Sequence, residues 1–301
     1  MSTPVTPPVP EAESRPLRAA AWMTGALICF SSMAVAGREA SGELDTFEIM
    51  TWRSIIGLFI VCTLLGVRGE LRGLRVQRVK LHVVRNLFHF TGQNLWFFAV
   101  TMIPLAQLFA FEFTNPLWVA ILAPLVLGEK MTRTRVLAAA LGFIGILIVA
   151  RPGEASFGVG EAAAAVCAIA FAFTTMTTKM LSGTESTGSI MFMMTLTQAV
   201  FGLVCAGIDL DIAFPSMAYA PYVIVIALAG LTAHFCIANA LSCAPATVVA
   251  PMEFLRLPLI AAIGAMLYDE PLLWTVFAGG AVVMAANLIN IHGQRKAAAA
   301  R

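Results

Sequence analysis

The sequence predicts an all-α integral membrane protein with ten transmembrane helices, arranged as two inverted five-helix repeats around a central cavity. Three observations predict it: an apolar composition, ten stretches that could cross a bilayer, and an internal repeat whose halves carry opposite loop charge. Of the 301 residues, 59% are hydrophobic and 12% are charged. Because about 25% of residues are charged in soluble domains, so few charges could not cover a soluble surface.

The apolar stretches are mostly near 20 residues long, which is enough to cross roughly 30 Å of hydrocarbon. The fifth is short, so we expect it either to begin earlier than its apolar run or to tilt little in the membrane. Together they divide the chain into a disordered cytoplasmic tail (1–18), a first repeat (19–153), a second repeat (154–292) and a cytoplasmic tail (293–301). The ten stretches cover residues 19–37, 46–66, 81–101, 104–127, 136–150, 158–178, 188–208, 218–241, 246–268 and 272–291.

The two halves of the chain align with each other at a shift of 141 residues. Residues 91–104 (TGQNLWFFAVTMIP) align with residues 232–245 (TAHFCIANALSCAP), and the same shift places Glu112 on Glu253. This period far exceeds the 20–50 residues of solenoid repeats, so it indicates a duplicated bundle. Duplicated halves in an apolar chain are typical of carriers that alternate access around a site at the repeat interface.

Loop charges predict the orientation of the chain. Basic residues fill the loop 68–80 and both ends of the chain, whereas Glu39, Glu43 and Asp45 follow the first stretch. By the positive-inside rule both termini are cytoplasmic. Each half has an odd number of stretches, so the second half must be inverted, and its acidic loop 209–211 does align with the basic loop 68–80.

The first half contains short motifs that resemble those of EamA-type members of the drug/metabolite transporter superfamily. The resemblance covers roughly residues 19–291 and is closer in the first repeat than in the second. It implies an inner-membrane carrier with a cavity lined by the third, fourth, eighth and ninth helices, but it implies no particular substrate. The motifs are Asn115-Pro116-Leu117, Leu127-Gly128-Glu129-Lys130, Gly142-Phe143-Ile144-Gly145 and Arg151-Pro152-Gly153.

A polar stripe runs along the third predicted helix. Asn86, His89, Gln93 and Trp96 recur at helical spacing, with His82 one turn earlier, so they share one face. Polar groups inside a bilayer are costly unless they face protein or water. The stripe therefore indicates either a substrate-binding wall, to which we assign His89, Gln93 and Trp96, or hydrogen bonds between helices.

Three further residues are candidates for the wall of the cavity. His234 on the eighth helix aligns with Gln93, and Asn239 lies five residues further along. A single histidine in a bundle can equally be a structural group. Phe111 is the aromatic candidate on the fourth helix.

Two glutamates lie inside predicted helices. Glu112 is eight residues beyond Pro104, which places it about 12 Å from the membrane edge at 1.5 Å per residue. Glu253 lies at the same depth from the opposite edge. Buried carboxylates are paired, protonated or hydrated. We therefore expect Arg53 to pair with Glu112. We expect Arg256 to pair with Glu253 one turn away on its own helix, with Arg85 as a rival partner.

These charges could be static ion pairs or functional groups. In the functional interpretation, Glu112, Asn115, Glu253 and Arg256 bind substrate. Arg53 and Glu112 would couple transport to protons, because a pair made between two helices can break when the helices move. Four prolines should also kink the fourth and ninth helices: Pro116, Pro124, Pro251 and Pro258.

Other classes of protein are not supported. No phosphate-binding loop, H-E-x-x-H or G-x-S-x-G motif occurs, so we expect no enzyme. The six cysteines lie inside apolar stretches without a C-x-x-C pair, which predicts no disulfide framework, no metal site and no cofactor. The expected partners are a small solute, protons and the lipid bilayer, with no nucleic acid, and the chain should be a monomer or weak homodimer.

The substrate prediction follows from the mixed charge. Carboxylates and arginines near aromatic rings suit a zwitterion, so we predict a secondary transporter that exports an amino acid or a related metabolite. The alternatives are uptake of a vitamin or cofactor-like aromatic solute, and a membrane scaffold that transports nothing.

Overall fold

The computed structural model describes residues 15–128, 131–151, 157–208 and 212–299. Within these ranges the chain forms α-helices and one short 3-10 turn, with no strand, so the all-α prediction is confirmed. The helices are α1 (Pro16–Ala40), α2 (Thr46–Val67), α3 (Val79–Met102), α4 (Leu105–Glu112), α5 (Asn115–Val126), α6 (Arg133–Ala150), α7 (Val159–Ser182), α8 (Thr187–Ala206), α9 (Ala220–Cys243), α10 (Ala246–Glu253), α11 (Arg256–Tyr268) and α12 (Trp274–Ala299).

Nine helical spans in the described residues are long and apolar enough to cross a membrane. In this set α4 and α5 together make one span, and most of α10 makes another with α11. The tenth predicted span, α3, has 24 residues but is less apolar because of its polar stripe. Large apolar side chains such as Phe59, Leu125 and Met266 point outward, with exposed fractions of 73%, 84% and 84%.

Polar side chains determine where several helices begin. Asp45 and Glu48 form a capping box at α2: the Glu48 N–H donates to the Asp45 carboxylate at 2.8 Å, and the Asp45 N–H donates to the Glu48 carboxylate at 2.9 Å. At α8, Ser186 accepts from the Ser189 N–H at 3.1 Å. Such caps satisfy N–H groups that the first helical turn leaves without partners.

The chain is helical closer to its ends than predicted. Helix α1 begins at Pro16, so the predicted disorder is wrong for residues 16–18. Helix α12 continues to Ala299, and the cytoplasmic location of the tail 293–301 stays a prediction. Helix α6 begins at Arg133, which confirms that the fifth span starts before its apolar run. The rest of the N-terminal tail lies outside the described residues, as do Glu129 and the loop 209–211.

Two predicted helices are each interrupted near their middle. Helix α4 ends at Glu112 and α5 begins at Asn115, while α10 ends at Glu253 and α11 begins at Arg256. The two interruptions therefore fall at positions that the 141-residue shift superimposes.

Proline explains where the interruptions fall. Pro116 has no N–H for the carbonyl of Glu112 four residues earlier, and Pro258 likewise offers none to residue 254. A proline in the first turn of the next helix costs little, since its N–H would have no intrahelical partner there. The helices continue through Pro124 and Pro251, so these two do not break a helix, and the kinks expected at them stay a prediction.

Helices of the two halves pack against each other. Helix α1 packs on α9, α2 on α8, α3 on α7, α4 on α11 and α6 on α12. Helices α6 and α12 approach closely at Gly145 and Gly279, where a Cβ on Gly279 would lie 2.6 Å from the Gly145 carbonyl oxygen. Glycine at both positions lets the backbones touch, as is common where helices pack within membranes.

A charged junction ties the end of α1 to the α11–α12 connection. The Arg38 guanidinium contacts the Glu270 carboxylate and donates to the carbonyls of Val100 and Ile103 at 2.7 and 2.8 Å. Glu270 also accepts the Leu105 N–H at 2.9 Å, so it caps the start of α4. Arg38, which runs against the charge pattern of its loop, is therefore neutralised inside the protein.

Candidate functional site

An ion pair joins the two interruptions. Glu112 ends α4 and Arg256 begins α11, and the Arg256 Nη2 lies 2.9 Å from the Glu112 Oε1. The second carboxylate oxygen, Oε2, accepts a hydrogen bond from the Trp96 Nε1 at 2.7 Å. Glu112 thus connects α3 of the first half with α11 of the second half.

Aromatic rings surround the Arg256 guanidinium. Its Cζ lies 4.5 Å from the centre of the Phe30 ring, 4.7 Å from that of Phe109 and 5.0 Å from that of Phe113. These distances suit cation–π attraction, which partly replaces the water that the buried cation loses. Arg256 is therefore held by one carboxylate and three rings.

The partner of Arg256 differs from the predicted one. We expected Arg256 to pair with Glu253 one helical turn away, and this prediction is wrong because the helix is interrupted between them. The expected pair of Arg53 with Glu112 is also wrong, because Arg256 occupies that carboxylate. Continuous helical spacing cannot predict a contact across a break.

Glu253 is half-buried beside the same arginine. It lines a cavity of about 10 Å³ together with Arg256 and Phe30, and its charge interacts with those of Arg256 and Glu112. Among the described residues it has neither an ion pair nor a hydrogen bond of its own. Two carboxylates therefore lie near one arginine, and only Glu112 is bonded to it.

Arg53 of α2 lies beside α9 in the interior. Its Nη2 would be 3.2 Å from a Cβ on Gly230, so glycine leaves room for the guanidinium. Its closest recorded polar contact is the Met50 Sδ at 3.9 Å. In the part of the chain that the structure describes, no carboxylate lies within ion-pair distance of Arg53.

The polar stripe of α3 divides into two parts. In the first, the Asn86 Nδ2 donates to the Met193 carbonyl at 3.0 Å and to the Thr197 hydroxyl at 2.6 Å. Arg85 donates to Asn86 at 2.8 Å and to Thr178 at 3.1 Å. This part of the stripe makes hydrogen bonds between helices, as the alternative interpretation predicted.

His82 lies at the edge of the same network, 3.6 Å from Glu185 in the α7–α8 loop. Glu185 accepts the N–H groups of Gln77 and Arg78 at 2.8 and 2.9 Å. Burial raises the pKa of Glu185, but these two donors and His82 outweigh it and hold the pKa below its ordinary value. Both residues therefore anchor the loop and lie outside the candidate site.

The second part of the stripe has polar atoms without partners. His89 and Gln93 are buried, with exposed fractions of 8% and 7%, and the His89 Nδ1 and the Gln93 Oε1 have no hydrogen-bond partner among the described residues. His89 interacts electrostatically with Arg53, Arg85 and His234. A buried polar atom without a partner costs free energy, so this part of the stripe is suited to receive a ligand.

His234 connects the two groups of charges. Its side chain is exposed, and its ring contacts Phe30 edge-on at a centroid distance of 5.7 Å. Phe30 in turn covers Arg256. His234 thus lies close to the Glu112–Arg256 pair through Phe30, and its charge also interacts with that of Arg53.

The remaining candidates lie apart from this set. Phe111 is fully buried in the apolar core, Asn115 is half-buried at the start of α5, and the Asn239 Nδ2 donates to the Phe235 carbonyl of its own helix at 2.8 Å. Sequence reasoning missed the rings around Arg256. Phe109 and Phe113 are one helical turn apart on either side of Glu112, so the sequence could have placed them near the charges. Nothing in the sequence indicates that Phe30 lies there.

The chemistry of the set is that of a binding site for charged and aromatic groups. It offers two carboxylates, three arginines, two histidines and several rings. The described residues contain no group of three or more His, Cys, Asp or Glu that could hold a metal ion.

Comparison with known proteins finds relatives among membrane transporters. Residues 17–151 match the EamA-like transporter family. The chain is 29% identical to a riboflavin transporter of Brucella anthropi over 88% of its length and 95% of that protein. It is 24% identical to an S-adenosylmethionine uptake transporter of Rickettsia felis, over 92% and 93% of the two chains.

A more distant relative is the pseudopaline exporter CntI of Pseudomonas aeruginosa, 24% identical over 85% of this chain and 90% of that one. The fold is similar to that of a solved crystal structure at a TM-score of 0.62, with 16% identity and coverage of 92% and 98% of the two chains. Together with the apolar spans, these matches identify a multi-pass membrane protein. The chain is thus similar to EamA-type transporters of the drug/metabolite transporter superfamily, and these matches indicate a transporter and not an enzyme.

Proposed function

We propose that the protein is a secondary transporter that moves a small zwitterionic metabolite, an amino acid or a close relative, across the inner membrane by alternating access. One observation carries the proposal: the Glu112–Arg256 pair joins the interruptions of two spans from different halves. Opposite charges at such interruptions suit a site that is shared between two moving halves.

We further propose ten spans in two inverted halves. Helices α3 and α9 begin at Val79 and Ala220 and end at Met102 and Cys243, so both ends follow the 141-residue shift. If α4–α5 and α10–α11 are counted as spans four and nine, the packed pairs are one with eight, two with seven, three with six, four with nine and five with ten. A two-fold axis that relates the halves exchanges each span with the span five places along the chain. This exchange converts every packed pair into another pair of the same set.

This arrangement predicts that the loops 68–80 and 209–211 lie on opposite sides of the membrane, with both termini cytoplasmic. In a cysteine-free background, Asp209→Cys should react with a membrane-impermeant maleimide added to intact spheroplasts. Arg72→Cys should react only after permeabilisation. Labelling of both positions from the same side would contradict the inverted repeat.

The relatives favour a second candidate for the substrate. Transporters named for riboflavin and for S-adenosylmethionine uptake support a vitamin or cofactor-like solute with an aromatic ring, and the rings of Phe30, Phe109 and Trp96 near the charges suit one. Relatives named for uptake and for export both occur. We propose export, with uptake as the second candidate, and transport into vesicles of either orientation distinguishes the two directions.

A thermal-shift screen tests the substrate. Purified protein should be stabilised by amino acids and related zwitterions, since a ligand of the native state stabilises it by RT ln(1 + [L]/Kd). Riboflavin and S-adenosylmethionine belong in the same panel as the second candidate. Hits should then show saturable transport into proteoliposomes. Stabilisation by quaternary-ammonium dyes alone would contradict both candidates, and a lack of saturable transport of any hit would favour a scaffold.

A further inference from the structure

Among the described residues of the candidate site, the arginines outnumber the carboxylates. Arg53, Arg85 and Arg256 lie in or beside the candidate site, against Glu112 and Glu253, and only Arg256 has an ion pair among the described residues. A buried charge without a counter-ion is costly. The missing negative charge therefore has to come from another source.

The excess charge is concentrated in one place, which we call the basic cluster: Arg53, Arg85, His89 and His234. Arg53 lies beside Gly230 of α9, and His234 is one helical turn further along the same helix. His89 lies one turn from Arg85 on α3, and its charge interacts with those of the other three members. No carboxylate pairs with either arginine within the described ranges.

Two observations indicate that the basic cluster accepts a ligand. The His89 side chain is only 8% exposed, and its Nδ1 has no hydrogen-bond partner among the described residues. His234, at the other side of the cluster, is not buried, so the described residues do not close the cluster on that side. A buried orphan nitrogen beside a half-buried, unpaired guanidinium is suited to bind an anion.

The geometry of the side chains favours a carboxylate. A guanidinium donates two parallel N–H groups that match the two oxygens of a carboxylate. Arg85 already uses its Nε and Nη1 on Thr178 and Asn86, whereas Arg53 has only a weak contact with the Met50 sulfur. Arg53 is thus the arginine of the cluster whose two parallel N–H groups are left for a ligand by the described residues.

We propose that the basic cluster binds the carboxylate of the transported solute, with Arg53 as the residue that determines this specificity. The proposal rests on the proposed function and deepens it, because it assigns Arg53 to substrate binding and not to coupling. The side chain of the half-buried Glu253, which also has no bonded partner within the described part of the chain, remains available to the positive end of a zwitterion. Neutral analogues without the carboxylate should then be rejected.

Benzoate and benzamide provide a matched pair of probes, since they share a ring and differ in the anionic group. We expect benzoate to raise the unfolding temperature of the purified full-length protein by about 2–4 °C at five times its dissociation constant. Benzamide, and sodium chloride at equal ionic strength, should cause no shift. Equal shifts with both probes, or no shift with either, would overturn the proposal.

Variants of Arg53 make the test specific. Arg53→Gln should lose the benzoate shift, and Arg53→Lys, which keeps the charge but not the fork, should show a smaller one. Arg72→Gln, an exposed arginine in the loop after α2, should keep the full shift. A full benzoate shift in both Arg53→Lys and Arg53→Gln would overturn the proposal. If Arg53→Gln fails to fold, the shift of Arg53→Lys decides: a full shift overturns the proposal and a smaller one supports it.

The test of the basic cluster and the test of transport can fail independently. A protein that transports solutes but does not distinguish benzoate from benzamide would overturn the assignment of the basic cluster alone. One that binds benzoate through Arg53 but carries nothing into proteoliposomes would overturn the transport proposal alone.

Discussion

Glu112→Gln is expected to abolish transport driven by a pH gradient while leaving exchange of substrate across the membrane intact. The carboxylate is bonded to Arg256 of the other half. When the halves move apart, Glu112 loses this cation, and a desolvated carboxylate takes up a proton. Glutamine still accepts the hydrogen bond from Trp96, but it cannot titrate. Proteoliposomes with an imposed pH gradient, compared with counterflow of labelled solute, measure both activities.

Glu253→Gln is the matched control, since Glu253 occupies the equivalent position in the second half. It should weaken binding or folding without removing the dependence on the pH gradient. Uncoupling by Glu253→Gln but not by Glu112→Gln would reverse the assignment. Transport by the unmodified protein that ignores a pH gradient would make facilitated diffusion the better mechanism and leave Glu112 as a structural ion pair.

Glu270→Gln is expected to lower the stability of the protein by about 3 kcal/mol, because breaking a buried ion pair leaves the other charge uncompensated. Arg38 and Glu270 have side chains only 16% and 12% exposed, so water replaces little of the lost interaction. The unfolding temperature in detergent should fall by several degrees. Adding Arg38→Met to the variant should recover part of this loss, since it removes the orphaned cation.

Glu43→Gln provides the control for this experiment. Glu43 accepts hydrogen bonds from the Ser216 N–H and hydroxyl at 2.8 and 2.7 Å, in an exposed position. Its replacement should change the unfolding temperature by much less. An equal fall in both variants would indicate that the Arg38–Glu270 contact contributes nothing beyond an ordinary surface interaction.

The helical spans could be predicted closely from the sequence because each physical cause is local. Apolar runs end at charged loops, Asp45 caps α2, and prolines mark the start of α4 and α5. The interruptions were expected only as kinks. What the sequence could not supply was their effect on pairing: a break between Glu253 and Arg256 removes the one-turn relation on which the predicted pair depended.

Long-range contacts account for the other differences. Arg256 finds Glu112 and the ring of Phe30 across the bundle, and neither partner is near it in the sequence. Arg38 is an exception to the loop charge pattern, and its contact with Glu270 in the structure explains the exception. The polar stripe of α3 was correctly predicted to be inside, but only the structure separates the bonded Asn86 from the unbonded His89.

The polarity of helix α3 affects the order in which the protein can assemble in the membrane. Helix α3 is the one predicted span among the described helices that is not apolar enough to qualify as a crossing segment by itself. Its buried groups Arg85 and Asn86 bond to Thr178, Met193 and Thr197, all of which emerge from the ribosome about ninety or more residues later. The first half of the chain therefore cannot reach its final arrangement until α7 and α8 of the second half have been synthesised and have entered the bilayer.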